Sequence, residues 1–335
     1  MSHHPSESSS VGSMPLTPAS WYYIGTRARL ARGPVRFDLP GERSYVAFLG
    51  ANGPAVLSAR CCHMGADLSL GCVKDGRLAC PLHGWEYASD GRCEHLPAAA
   101  EIPAFARQAS FPVQMCGDQI FFFNRPEARF SLPFFAGLEA ADLFPARAFA
   151  FTVQAPWYML SANGFDVQHF RCAHDRTLLD EPAVDTPGPF TWRMQARFLV
   201  MGDSLRDRLT HAISGPEVEM TVENWNGNLV LVTARFRRTT SYGMVSFIPL
   251  DRDRTWVRNI VWVPRSWSWA GRHLIDPMDA MIRRSFIQKF VRSDADRSDG
   301  IRFRPERMIA ADKVLVDYFR WLQDIHRRHN PEVVS

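Results

Sequence analysis

The stretch that decides the fold is residues 59–87, which read ARCCHMGADLSLGCVKDGRLACPLHGWEY. Two short motifs inside it each pair one cysteine with one histidine: Cys61-x-His63 and, after sixteen further residues, Cys80-x-x-His83. The chain has seven cysteines, and five of them lie within or just after this stretch. In a chain for which we expect no secretion signal, clustered cysteines and histidines more often bind metal than form disulfides.

The composition is that of an ordinary globular chain. Its 335 residues suit about two domains of roughly 100–200 residues each. Hydrophobic residues make up 46% and charged residues 22%, so a normal core can form without disulfides. The net charge of +4 is too small and scattered to favour nucleic-acid binding, and no apolar run of about 18 residues predicts a membrane span. The Ser-rich start lacks the apolar segment of a signal peptide, so we expect residues 1–18 to form a disordered tail of a cytoplasmic protein.

Two kinds of pattern divide the rest of the chain. From residue 19 to 147, short alternating apolar runs separated by Gly and Pro predict an all-β domain that ends in a Pro- and Phe-rich linker. From 148 to 335, longer runs with period-two alternation predict antiparallel strands, and Asn226-Gly227 predicts a hairpin between two of them. Two long helical patterns follow, roughly at 277–294 and 305–329. A sheet with flanking helices predicts the α+β fold class.

The order of the four candidate ligands distinguishes between metals. Common zinc modules place two cysteines before two histidines, whereas here each loop supplies one of each. The mixed order favours a [2Fe–2S] cluster in which Cys61 and Cys80 hold one iron and His63 and His83 hold the other. The two segments resemble the Rieske motif, C-x-H…C-x-x-H, in the form found in bacterial Rieske oxygenases. We expect Trp85 to pack over the cluster.

The other cysteines refine this resemblance. Respiratory Rieske proteins carry two more cysteines that join the cluster loops by a disulfide, and this chain has Ala66 and Leu82 at the matching positions. A lower reduction potential is therefore expected, and it suits delivery of electrons to oxygen chemistry. Cys62, Cys72 and Cys93 lie nearby at other spacings, and we interpret them as small buried apolar residues.

A second group of candidate ligands lies in the segment NGFDVQHFRCAHDR, residues 163–176. Asp166 and His169 are three apart, so they share one face of a helix. His169 and His174 are five apart, so we expect a bend or a wide turn between them. Two imidazoles and one carboxylate form the facial triad of non-haem Fe(II) oxygenases, which leaves coordination positions open for O₂ and substrate.

The pattern D-x₂-H-x₄-H is similar to the second motif of Rieske oxygenases. The resemblance implies that His169 and His174 are ligands of a mononuclear Fe(II). It also implies that Asp166 bridges this iron's histidine to a cluster histidine of the neighbouring subunit. Asn163 lies one helical turn before Asp166, where it would steer the bridge or the substrate, or serve only as a cap or turn residue.

The third iron ligand is expected to be a carboxylate near the end of a long helix, as the family's tail pattern implies. The segment FVRSDADRSDG offers Asp294, Asp296 and Asp299. We choose Asp294, because it lies four residues after Phe290 and thus on the same face of the helix. Asp296 is the second choice.

The resemblance covers nearly the whole chain beyond residue 18. It implies an N-terminal Rieske domain, residues 19–147 with the linker, and a catalytic domain of the helix-grip type, residues 148–335. The length resembles the short, α-only branch of the family, which includes demethylases and ketosteroid hydroxylases. Members of this kind receive electrons from NAD(P)H through a reductase or a ferredoxin, and a homotrimer is expected.

The expected reaction is O₂-dependent monooxygenation, by hydroxylation or oxidative demethylation, of a small and largely apolar substrate. Desaturation or oxidative cyclisation is the alternative outcome. Four aromatic residues of the predicted sheet either line the substrate pocket or belong to the core: Phe198, Trp225, Phe236 and Trp262.

Two functions of other classes remain open. A Rieske electron-transfer protein, whose second domain only binds a partner, would hold no iron beyond the cluster. A zinc-binding regulatory module would be colourless, whereas an iron–sulfur protein is red-brown.

Overall fold

The computed structural model describes residues 14–201 and 215–329, and in these ranges the chain has the predicted α+β fold. Its strands form three small sheets and one sheet of nine strands. The small sheets contain β1 (Trp21–Thr26), β2 (Val35–Asp38), β3 (Ser44–Gly50), β4 (Gly53–Ser58), β5 (Cys72–Lys74), β6 (Arg77–Ala79), β7 (Glu86–Tyr87), β8 (Cys93–His95), β9 (Ser110–Phe111), β10 (Val113–Cys116) and β11 (Gln119–Phe123). The large sheet contains β12 (Leu143–Pro145), β13 (Phe149–Val153), β14 (Arg176–Leu178), β15 (Ala183–Gly188), β16 (Thr191–Val200), β17 (Glu217–Trp225), β18 (Leu229–Phe236), β19 (Thr240–Pro249) and β20 (Thr255–Pro264).

The α-helices of the described residues are α1 (Arg27–Leu30), α2 (Trp157–Ala162), α3 (Val167–His174), α4 (Asp276–Arg297) and α5 (Lys313–His329). Within the described ranges, no helix is long and apolar enough to cross a membrane. Helix α4 is continued at its N-terminus by a single π-helical turn, Gly271–Ile275.

The small sheets build the N-terminal half and position the two Cys/His loops. Strands β5 to β8 form one antiparallel sheet in sequence order, and β2, β3, β4 and β9 form a second. The first loop connects β4 to β5, and the second connects β6 to β7. The first loop enters the β5–β8 sheet at the start of β5, and the second loop leaves it at the end of β6, where Cys72 pairs with Ala79. This pairing brings the cysteines and histidines of both loops to the same end of the sheet.

The large sheet is antiparallel throughout, in the order β12-β20-β19-β18-β17-β16-β14, with β13 also paired to β20 and β15 to β16. Helix α4 packs against β20 on one side of this sheet. Helix α5 buries Tyr318, Phe319 and Leu322 in a core shared with Trp157 of α2 and Phe165. The helices that carry the second group of candidate ligands thus both pack on the large sheet, α4 against β20 and α3 beside β14.

The hairpin predicted at Asn226-Gly227 is present, and it joins the two halves of the chain. Both residues have left-handed φ angles, +52° and +93°, as tight hairpin turns require. The Asn226 side chain donates a hydrogen bond to the carbonyl of Ala19 at 2.7 Å, and Asn228 donates to the carbonyl of Trp21 at 3.1 Å. The turn therefore docks on the start of β1.

Three boundaries differ from the sequence expectation. Residues 14–18, assigned to the disordered tail, are packed: the carbonyl of Pro15 accepts a hydrogen bond from Trp157 Nε1 at 3.1 Å, and Thr17 is buried. Residues 1–13 of that expected tail lie outside the described residues. The second long helix begins at Lys313 instead of 305, after two short 3₁₀ turns. Strand β12, four residues before the expected domain boundary, already belongs to the large sheet.

Candidate metal centres

The two Cys/His loops have the same backbone conformation. In each, the cysteine N–H donates to the carbonyl five residues on, and a glycine N–H four residues on donates back to the cysteine carbonyl. The four hydrogen bonds join Cys61 N to Ala66 O (2.9 Å), Gly65 N to Cys61 O (2.8 Å), Cys80 N to Trp85 O (2.8 Å) and Gly84 N to Cys80 O (3.0 Å). Gly65 and Gly84 have φ angles of +74° and +69°, a backbone conformation that residues other than glycine adopt at a cost. The two loops thus hold their ligand candidates on backbones of the same conformation.

The four side chains meet as one pair of thiols and one pair of imidazoles. Cys61 and Cys80 are both 4% exposed and their side chains are in contact. The rings of His63 and His83 lie with their centroids 4.8 Å apart. Burial raises the pKa of the Cys80 thiol, and the adjacent Cys61 thiol raises it further. Two buried thiols in contact ionise together only beside a cation, so this group fits a cluster with one iron on the thiolates and one on the imidazoles.

Two aromatic residues surround these ligand candidates. Trp85 stacks on the ring of His63, with centroids 4.4 Å apart and planes at 5°. The Tyr87 hydroxyl lies 3.0 Å from Cys61 Sγ and 3.4 Å from Cys62 Sγ. A stacked ring fixes the plane of a ligand imidazole, and a hydroxyl near a ligand sulfur tunes its electron density.

The interpretation of the remaining cysteines is correct only for Cys93, which is buried. Cys62 is half-buried beside Tyr87, and Cys72 is exposed at the start of β5. Strand β5 has two exposed positions out of three, because it is the edge strand of its sheet.

The second group is organised by helix α3. Asp166 is its N-cap, and its Oδ1 accepts a hydrogen bond from the backbone N–H of His169 at 3.0 Å. His174 is the last residue of the helix, and Asp175 ends it with a left-handed φ of +51°. The bend expected between the two histidines is therefore wrong: the helix is regular and the turn follows His174. The two rings still converge, with their Nε2 atoms 3.1 Å apart.

Helix α4 brings Asp294 to these histidines from more than a hundred residues away in sequence. Its Oδ1 lies 2.7 Å from His174 Nε2 and 3.1 Å from His169 Nε2. One ligand atom from each of the three residues lies within 4.8 Å of the others. Burial would raise the pKa of the Asp294 carboxyl, but its hydrogen bonds with the two imidazoles outweigh burial and hold that pKa below its usual value. Asp296, the second choice, is exposed and takes no part in this group.

Asn163 also contacts the group. Its Nδ2 lies 3.3 Å from Asp294 Oδ2 and 3.4 Å from His169 Nε2. Two imidazole nitrogens and one carboxylate oxygen converging from two helices are the donor set of a non-haem Fe(II) site. The three residues fit such an ion, and Asn163 is placed to orient the carboxylate beside it.

A cavity of about 400 Å³ opens beside this group, between the large sheet and helix α4. Gly164, Phe170 and Phe290 form its wall next to the two histidines and Asp294. Most of its lining is apolar side chains of β17, β18, β19, β20 and α4. An apolar, largely preformed cavity next to a metal site is the usual form of a substrate pocket.

Of the four aromatic residues suggested for this pocket, the cavity lining contains only Phe236. Phe198 packs against Phe170 in the core, and Trp225 and Trp262 belong to the cluster between the two halves of the chain. The lining also includes Asn259, which the sequence analysis missed. The sequence feature that could have identified Asn259 is its position as the single amide in the otherwise apolar run NIVWVP.

Comparisons with known proteins agree with this geometry. Residues 20–106, which include all four cluster-ligand candidates, match the family model of the Rieske [2Fe-2S] domain. A probable 3-ketosteroid-9-alpha-monooxygenase, oxygenase component, of Rhodococcus rhodochrous is 38% identical over 120 residues, 35% of this chain and 30% of that protein. The methylxanthine N1-demethylase NdmA of Pseudomonas putida is 29% identical over 204 residues, 56% of each chain. The matched stretches thus span from under a third to just over half of these relatives.

The whole fold matches solved structures. Dicamba monooxygenase bound to 3,6 dichlorosalicylic acid superposes with a TM-score of 0.72 and 17% identity, covering 95% of this chain and 99% of that one. At this identity the likeness concerns the fold. The chain therefore contains a Rieske [2Fe-2S] domain at residues 20–106, and its fold throughout is that of dicamba monooxygenase.

Proposed function

We propose that this chain is the oxygenase component of a multicomponent system and catalyses O₂-dependent monooxygenation of a small, largely apolar molecule. The observation that carries the proposal is the group of His169, His174 and Asp294 at the wall of an apolar cavity. The similar ketosteroid monooxygenase and methylxanthine demethylase support hydroxylation or oxidative demethylation as the reaction.

The residues divide the work as follows. Cys61, Cys80, His63 and His83 hold the [2Fe–2S] cluster, and Trp85 fixes the plane of His63. His169, His174 and Asp294 hold a mononuclear Fe(II), with Asn163 orienting the carboxylate. When bound, the cluster supplies single electrons and the Fe(II) supplies the site of O₂ activation. The cavity walls exclude water and place the substrate against the three ligands.

We propose that Asp166 connects the cluster site with the mononuclear iron site. It is half-buried, and one oxygen is engaged with the His169 N–H, which fixes the carboxylate beside a ligand histidine. We propose that it faces a cluster histidine of a second copy of the chain. A head-to-tail interface of this kind repeats until the ring closes, and we propose a homotrimer. A reductase or a ferredoxin would deliver electrons to the cluster.

The decisive experiment is to purify the protein anaerobically and measure iron, acid-labile sulfide and the visible spectrum. We expect about three irons and about two sulfides per chain, with a red-brown colour. Substrate-dependent O₂ uptake with a reductase and NAD(P)H would then identify substrates. Zinc without sulfide would overturn the proposal.

Two outcomes correspond to other functions. A protein that holds about two irons and two sulfides after reconstitution with Fe(II), and that consumes no O₂, is an electron carrier. An active protein whose product gains a double bond or a ring instead of an oxygen atom is a desaturase or a cyclase. Product analysis by mass spectrometry in ¹⁸O₂ separates these outcomes from monooxygenation.

A further inference from the structure

The cavity face of the large sheet is mostly apolar, and its polar residues are Asn259 of β20 and Ser241 of β19, whose Oγ accepts a hydrogen bond from Arg283. Asn259 of β20 is in register with Val245 of β19, and Val261, two residues on, is in register with Gly243. Residues two apart on a strand point to the same face, and all four of these residues line the cavity. The neighbouring strand continues the apolar face with Val232. Asn259 therefore sets one amide into an apolar wall.

That amide has no partner. Asn259 is 2% exposed, and neither its Oδ1 nor its Nδ2 has a hydrogen-bond partner in the described part of the chain. Among the cavity-lining residues that the structure describes, it is the one whose buried polar side-chain atoms are left unbonded. A buried amide with an unused donor and an unused acceptor destabilises a fold. A ligand in the cavity that offers a donor and an acceptor would complete this group.

The charged residues of α4 in the cavity are already neutralised. Arg283 donates from Nε to Asp279 Oδ1 at 2.8 Å, and from its terminal nitrogens to Thr239 Oγ1, the Thr240 carbonyl and Ser241 Oγ. The N–H groups of the Arg283 guanidinium thus donate to protein acceptors, and Asp279 neutralises its charge. Arg176, the other basic residue of the lining, donates to the His174 carbonyl at 2.9 Å. An anionic ligand would therefore compete with protein acceptors for both cations, whereas a neutral ligand meets no such competition.

The position of Asn259 also constrains the length of the ligand. Gly164, next to the metal-site residue Asn163, packs over Val222 of β17, so that a Cβ added to it would lie 3.0 Å from that side chain. Strand β20 is three strands away from β17 across the sheet. Three strand spacings are on the order of 14 Å. A molecule that reaches from the metal site to Asn259 is therefore elongated.

We infer that Asn259 determines substrate specificity: it binds the single neutral polar group of an elongated apolar substrate, at the end remote from the reacting carbon. A hydroxyl meets both halves of the amide, because it accepts from Nδ2 and donates to Oδ1. This inference rests on the proposed function only in calling the ligand a substrate. The binding site itself does not depend on turnover. Asn259 acts in positioning and touches no reacting atom.

The test measures binding to the purified protein without reductase, by equilibrium dialysis with biphenyl, 4-hydroxybiphenyl and biphenyl-4-carboxylate. We expect the native protein to bind 4-hydroxybiphenyl about tenfold more tightly than biphenyl, and the Asn259→Leu variant to lose this preference. An equal ratio in both proteins, or a carboxylate that binds the native protein most tightly, would overturn the inference.

Thermal unfolding without ligand supplies a second, independent readout. Asn259→Leu removes an unbonded buried amide at nearly constant volume, so we expect its melting temperature to rise. The matched control is Asn224→Leu: Asn224 is equally buried on β17 but bonds Tyr318 Oη at 2.9 Å and the Gly227 N–H at 2.7 Å, so its loss lowers the melting temperature. A fall for both variants would make Asn259 structural and refute the inference. If the binding preference holds while O₂ uptake is absent, the oxygenase proposal fails and the ligand site stands.

Discussion

Phe290 stacks on the ring of His174, with centroids 3.7 Å apart and planes within 13°. Phe290 precedes Asp294 by one turn of α4. The same helix therefore brings both a carboxylate and the aromatic surface that sets the plane of a histidine on α3. Substitution of a group that orients a metal ligand typically lowers metal affinity by about 10- to 100-fold.

We predict that Phe290→Ala weakens retention of the mononuclear Fe(II) about tenfold, since the imidazole of His174 loses its stacking partner. Iron retained after dialysis against a weak chelator measures the effect. Ile287→Ala is the control, because Ile287 lines the same cavity on the same helix without stacking on a histidine. Equal losses in both variants would show that helix packing, not ring orientation, controls affinity.

Asp294 is predicted to be a ligand, and its removal is predicted to act on one metal site alone. Asp294→Ala should lower the iron content from about three to about two per chain while sulfide stays at about two. Asp296→Ala, two residues on and exposed, should keep the native iron content. Loss of iron in the Asp296 variant instead would show that the ligand is misassigned.

Asp166→Asn tests the link between subunits. Asparagine caps helices as well as aspartate does, so α3 and both metals should remain. Turnover should fall on the order of 100-fold, because the amide cannot replace the carboxylate between two histidines. Asp175→Asn makes the same charge change at the exposed C-terminal end of α3 and should leave turnover unchanged. Full activity of Asp166→Asn would remove the bridge from the mechanism.

Much of both metal centres could be predicted from residues close together in sequence. The loop with Cys61 and His63 precedes β5, and the loop with Cys80 and His83 follows its partner strand β6, so the short separation in sequence nearly determines that the four residues meet. Asp294 was harder to predict, because its helical spacing from Phe290 only shows that the two residues share one face of α4. What places it at the histidines is the packing of α4 against β20, a tertiary contact.

The pocket could not be predicted in the same way. Aromatic residues in strands suit a core and a pocket equally, and Trp262 proved to be fully buried core. The alternation of β20 does predict that Asn259 and Val261 share a face. It does not say which face of the sheet is covered by α4, and that choice makes Asn259 a cavity residue.

Tyr87 is predicted to raise the reduction potential of the cluster. Its hydroxyl lies 3.0 Å from Cys61 Sγ, and a hydrogen bond to a ligand sulfur stabilises the more negative, reduced state. Tyr87→Phe should lower the potential by on the order of 50 mV, which is about 1 kcal/mol for one electron. Tyr45→Phe removes a buried hydroxyl of the same half of the chain that bonds the Asn124 carbonyl instead. Redox titration followed by absorbance should find its potential unchanged, and an equal shift would point to a general packing effect.

Gly227 is predicted to be the residue of the hairpin turn that tolerates substitution least. Its φ is +93°, and an added Cβ would lie 2.5 Å from the Trp157 ring and 2.8 Å from Leu322. Gly227→Ala therefore combines backbone strain with overpacking between α2 and α5, and should lower the free energy of unfolding by about 2–4 kcal/mol. Gly117, in the turn between β10 and β11, has a φ of +60° and nothing within 4 Å of an added Cβ, so Gly117→Ala should cost only about 1 kcal/mol. Urea unfolding of the two variants gives the difference, and equal losses would mean that Trp157 and Leu322 move aside without cost.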